Sequence, residues 1–71
     1  MSNNDDTTIT IIRMRELIRK LGIKRSFIYE KMNPESPYYD ATFPKPVRLG
    51  KAAMGWIESE VDRWILSQRV R

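Results

Sequence analysis

Lys24, Arg25, Ser26, Tyr29 and Lys31 fall within eight consecutive positions, and Lys45, Arg48 and Lys51 fall within seven. Ammonium and guanidinium groups only donate hydrogen bonds, whereas hydroxyl groups both donate and accept. In one row such groups suit phosphate oxygens and base edges, and a guanidinium can bracket the O6 and N7 atoms of a guanine. The chemistry they offer is recognition and not bond-making. The chain has no His and no Cys, which excludes His-based acid–base catalysis, Ser-His-Asp and Cys-His nucleophiles, disulfides and the usual zinc and iron–sulfur ligand sets. Gly22, Gly50 and Gly55 are too scattered for a phosphate-binding glycine loop. No catalytic group, metal or cofactor is expected.

Two helices must position the first row. Met14, Leu17, Ile18 and Leu21 recur at i, i+3, i+4 and i+7, the apolar stripe of an amphipathic helix with Arg15, Glu16, Arg19 and Lys20 outside. Gly22 supplies the reversal. A second helix over residues 25–32 is stopped by Asn33-Pro34, because proline cannot continue a helix and restricts the residue before it. Ile28 and Met32 then face the first helix, and Ile23 packs at the turn. Arg25, Ser26, Tyr29 and Glu30 fall nearer the outer side, while Phe27 points toward solvent, DNA or the following loop. Helix, glycine turn and a second helix opening on Lys and Arg spell a helix-turn-helix, whose second helix presents its N-terminal side chains to a major groove.

The second row sits in a hairpin. Residues 33–42 form a turn-rich loop with two prolines and the Tyr38-Tyr39 pair; these tyrosines are read as capping the core in preference to stacking on bases. Residues 43–56 then form two short strands about Gly50-Lys51. A basic hairpin after a helix-turn-helix is a wing, and Lys45, Arg48 and Lys51 would meet phosphates or the minor groove. The last helix carries Ile57, Val61, Trp64, Ile65 and Gln68 on one stripe, with Ser59 and Asp62 spaced as a capping box and Glu58, Glu60 and Asp62 suiting its positive end. Trp56 and Trp64 are assigned to the core. A short strand is expected over residues 9–12.

In 71 residues there is room for one domain. Residues 1–10 read as a disordered polar lead-in and 11–71 as the folded unit, mainly helical α+β, with a core that buries only about 60% of the unfolded surface. The net charge is +4, and its distribution is uneven: ten basic residues oppose four acidic ones between Arg13 and Lys51, while three of each balance from Ala52 onward. Positive charge thus gathers on the two rows, as a phosphate-binding face requires. No apolar run approaches a signal-peptide core or a membrane span, so a cytoplasmic protein without membrane association is expected.

Four motifs in order carry a resemblance: Arg13-x-x-Glu16-Leu17, Gly22-Ile23-x-Arg25-Ser26-x-Ile28-Tyr29, residues 43–50 (Phe-Pro-Lys-Pro-Val-Arg-Leu-Gly), and Gly55-Trp56-x-x-x-Glu60-Val61-Asp62-x-Trp64-Ile65. Together they resemble the AlpA-type phage regulatory proteins, small winged-helix members of the wider MerR-like and excisionase-like group. The resemblance spans residues 11 to about 68. It implies a DNA-binding transcriptional regulator of a prophage or mobile element, acting on integrase or excision genes or assisting excision directly. It places Arg25, Ser26 and Tyr29 in the reading motif and Lys45, Arg48 and Lys51 in the wing. Two positions depart from the pattern. Lys24 stands where such proteins often have a Ser cap, leaving it free for phosphate, and Glu30 stands where a basic residue is frequent. Glu30 repels phosphate unless it accepts from cytosine N4 or pairs with a neighbour such as Lys31. The 34–42 stretch is also longer than the shortest family loops.

The expected partner is double-stranded DNA, with Lys24, Arg25, Ser26, Tyr29, Lys31, Lys45, Arg48 and Lys51 in contact. One such module covers only about 600–1,000 Å² of interface, which favours repeated sites, a homo-oligomer or DNA bending with neighbours. A recombination directionality factor would use the same contacts. From another class, a small protein-interaction module would use Phe27, Tyr38 and Tyr39.

Overall fold

A computed structural model describes residues 9–70. Its elements are β1 (Ile11–Ile12), α1 (Met14–Leu21), α2 (Arg25–Met32), β2 (Val47–Arg48), β3 (Met54–Ile57) and α3 (Glu58–Ser67). Three helices and a small antiparallel sheet give the mainly helical α+β winged helix-turn-helix architecture. Residues 1–8 of the expected lead-in lie outside the described residues. Among the described residues no helix is long and apolar enough to cross a membrane.

Each helix boundary has a local cause. Arg13 precedes α1 in an extended conformation; its N–H donates to Glu16 Oε1 at 3.0 Å, and its carbonyl accepts from Leu17 N–H at 2.9 Å. The helix ends at Gly22, whose φ of 71° is left-handed and whose N–H donates to the Ile18 carbonyl at 2.8 Å. A side chain there costs free energy, so glycine is the natural residue. Lys24 opens α2 without a side-chain cap, its carbonyl accepting from Phe27 and Ile28. Asn33 and Pro34 close that helix as the sequence requires.

The start of α3 corrects an expectation. Ser59 and Asp62 do not form a capping box: the helix begins at Glu58, with Ile57 as its uncapped entry residue. Strand β3 runs directly into α3, so Ile57 belongs to the sheet, and Ser59 already lies inside the helix. The Glu58 N–H is satisfied instead by the Thr10 carbonyl at 2.9 Å. Asp62 joins Glu58 on Lys20 Nζ, at 2.8 and 2.9 Å, which staples α1 to α3. Those two carboxylates, Asp62 foremost, raise the Lys20 pKa above its ordinary value.

The sheet order is β1-β3-β2. Ile11 pairs with Ile57 and Ile12 with Trp56, while Val47 pairs with Gly55 and Arg48 with Met54. The N-terminal strand, expected over residues 9–12, is therefore shorter and is the partner that converts a hairpin into a sheet. Ile12, Leu17, Ile28, Phe43, Trp56 and Val61 form the buried core, each contributing about 1.5–3 kcal/mol if fully removed from water. Trp56 is fully buried as expected, whereas Trp64 is half-buried.

Candidate nucleic-acid interface

Helix α2 carries the first row. Ile28 is fully buried, and at about 100° per residue Ser26 and Glu30 point most directly away from it. Arg25 and Tyr29 share one flank, a turn apart, and both are exposed. Lys24 stands exposed at the helix entrance. The structure therefore brings Lys24, Arg25, Ser26 and Tyr29 onto one open face.

Lys31 is placed differently. It lies on the opposite flank of α2, with Nζ 5.4 Å from the centroid of the Trp64 ring. The ammonium is directed at α3, so Lys31 does not share the face of Arg25 and Tyr29.

The wing carries the second row. Leu49 and Gly50 N–H both donate to the Ala53 carbonyl, at 2.8 and 3.2 Å, and close a tip over residues 49–53. Arg48 and Lys51 line a common open hollow of ≈ 330 Å³ on this hairpin. Lys45 lies nearer the base, in a groove of ≈ 440 Å³ that also meets Lys31, Tyr39 and Asp40. Among the described residues Lys24, Arg25, Lys45, Arg48 and Lys51 make no ion pair; Lys20 is the base in the ion pairs seen. These five cations remain available to an external anion.

Between the rows, residues 33–42 are held by hydrogen bonds that sequence reasoning did not foresee. Glu30 Oε1 accepts from Ser36 Oγ, so this carboxylate is occupied with the loop. Ser36 Oγ in turn accepts from Tyr38 N–H at 3.0 Å. Asp40 secures the other end: Oδ1 accepts from Thr42 N–H at 2.8 Å and from Thr42 Oγ at 2.5 Å, and Oδ2 from the Trp64 indole N–H at 3.2 Å. The Thr42 hydroxyl is the main cause holding the Asp40 carboxyl below its ordinary pKa, with the Thr42 N–H, the Trp64 N–H and the Lys31 charge adding to it. Asp-x-Thr is a turn signal legible in sequence; the Glu30–Ser36 bond leaves no such signal.

Tyr38 and Tyr39 do not cap the core, being 59% and 39% exposed. The loop meets the apolar centre through Asp40, whose carboxylate accepts from the Trp64 indole, and Trp64 packs edge to face with Phe43 at 5.0 Å. Phe27 is directed at the loop, and its ring meets Tyr38 edge-on, with centroids 5.6 Å apart. A further tie escaped the sequence: Arg13 Nε donates to the Met54 carbonyl at 2.9 Å, fixing the entrance of α1 to the base of the wing.

A family model described as prophage CP4-57 regulatory protein (AlpA) matches residues 10–70. The DNA-binding transcriptional activator AlpA of Escherichia coli (strain K12) is 48% identical over 68 residues, which is 96% of this chain and 96% of that one. No solved structure matches the chain significantly. With the four motifs in order, the matching architecture and these two similarities, the chain belongs to the AlpA family of prophage regulatory proteins.

Proposed function

We propose that the protein is a site-specific double-stranded-DNA-binding transcriptional regulator of a prophage or mobile element, controlling integrase or excision genes in the cytoplasm. It is a binding protein and not an enzyme. The observation that carries the proposal is the pair of unspent cationic rows, Lys24 and Arg25 on the open face of α2 and Lys45, Arg48 and Lys51 on the wing. The relative's description as a DNA-binding transcriptional activator supports it. Helix α2 enters a major groove, Arg25 donates to a guanine O6 and N7, Ser26 and Tyr29 engage edges or phosphates, and the wing grips the adjacent backbone. Lys31, directed at Trp64, supports the helix from behind and adds at most a distant phosphate contact.

Recovery of genomic fragments on the purified protein at about 150 mM salt, followed by sequencing, tests this, because nonspecific binding is then typically only about 10⁻⁴–10⁻⁶ M. One enriched motif, at a promoter near an integrase gene, is the expected result. Enrichment at an attachment site instead would make the protein an excision factor. No enrichment would overturn direct sequence recognition.

A further inference from the structure

Phe27 and Tyr38 form an exposed aromatic pair that the cationic rows do not explain. Phe27 is 45% and Tyr38 59% exposed, whereas six apolar side chains are buried among the described residues. The pair is built, because the loop returns to the helix it left. Glu30 holds Ser36, Ser36 holds the Tyr38 N–H, and the Tyr38 ring meets Phe27 three residues before Glu30 on α2. This closed circuit braces the Phe27 ring against Tyr38 while leaving much of the side chain in solvent.

Phe27 also has a defined place relative to the open face. It lies about 100° from buried Ile28, as does Tyr29 on the other side, so the outward strip of Ser26 and Glu30 is flanked by two aromatic side chains. Phe27 lies on the flank opposite Arg25, but both belong to the first turn of α2, and a helix that enters a major groove by its N-terminal end brings all its first-turn side chains, Arg25, Ser26 and Phe27, toward the groove. The apolar group that a major groove displays is the thymine C5-methyl, for which Phe is a suitable contact. Two rings offer far less than the roughly 1,200 Å² of a stable protein interface, whereas one ring face matches one methyl group.

We propose that Phe27, braced by Tyr38, is a specificity-determining residue that reads a thymine methyl group in the major groove. The proposal rests on the DNA-binding reading above. The test uses the enriched duplex, with each thymine replaced in turn by uracil, which lacks only that methyl. Loss of one buried methyl corresponds to about a four-fold drop in affinity, and the wild-type protein should show such a drop at one or two positions. Phe27→Ala should bind the thymine duplex more weakly and show no further loss with uracil there, while Tyr38→Ala should reduce the discrimination in part. The uracil series alters only the DNA and is independent of how well a variant folds. A motif without thymine, no uracil effect at any position, or an effect that persists in a folded Phe27→Ala protein would overturn the inference and leave sequence-specific binding standing. Failure to enrich any motif would overturn both.

Discussion

Arg25 and Lys51 are both exposed cations, and the proposed function gives them different work. Arg25 begins a helix beside Ser26 and Tyr29, a place from which base edges are within reach. Lys51 sits on a hairpin tip, which under the same proposal meets the phosphate backbone. Arg25→Ala should therefore cost about 1–3 kcal/mol and relax preference at one base pair, whereas Lys51→Ala should weaken all sequences alike. Affinities for the selected duplex and for single-base variants would check this, and equal losses on every duplex would make both residues backbone contacts. Asp40 gives a prediction in pH. Its folded pKa is depressed, chiefly by the Thr42 hydroxyl, so its contribution is complete above about pH 4 and is lost as pH falls through the folded value. Asp40→Asn should flatten the acid limb of a urea midpoint against pH, and an unchanged limb would assign that loss to other carboxylates. Charge and helix phase suffice to put Lys24, Arg25, Ser26 and Tyr29 together on one exposed face. The direction of Lys31 leaves no such local signal, because it depends on Trp64, 33 residues later in the chain.

At the level of elements, the contact between β1 and β3 is the least forgiving. A Cβ at Gly55 would lie 2.5 Å from Ile11 Cγ2 and 2.9 Å from the Ile12 carbonyl oxygen, and the second of these is backbone that cannot turn aside. Gly55→Ala should destabilise the fold by about 1–3 kcal/mol, measured as a lower urea midpoint, and an unaltered midpoint would show that β1 is not seated against this strand. Both helices of the reading motif were legible because apolar period, Gly22 and Asn33-Pro34 are local signals. The sheet was legible only as a hairpin. Nothing in residues 9–12 announces that they pair with residues 56–57, and the entry to α3 was misread because a strand that flows straight into a helix needs no capping side chain. The loop of residues 33–42 was read by composition as turns, which holds, but the destination of its aromatic rings was set by two side-chain hydrogen bonds that composition does not encode.

For the whole molecule, affinity should be governed by salt. If about five phosphates are neutralised, the slope of log K against log salt is near −4.5, and affinity should fall roughly 500-fold between about 50 and 200 mM. A slope near zero would mean that the cationic rows do not meet DNA. The strand order carries a consequence in time. The central strand of the sheet, β3, is the last of the three to be synthesised, and its pairing with β1 joins residues 44 and 46 positions apart, Ile12 with Trp56 and Ile11 with Ile57. Closing so long a loop is entropically slow, and separation in sequence delays folding more than it lowers final stability. A nascent chain released up to β2 contains the complete reading motif but no strand on which to assemble a wing. Competence for the proposed two-point grip therefore arrives late and nearly all at once, and a message truncated shortly before Met54 would yield a chain that carries the α2 cations with no sheet to frame them.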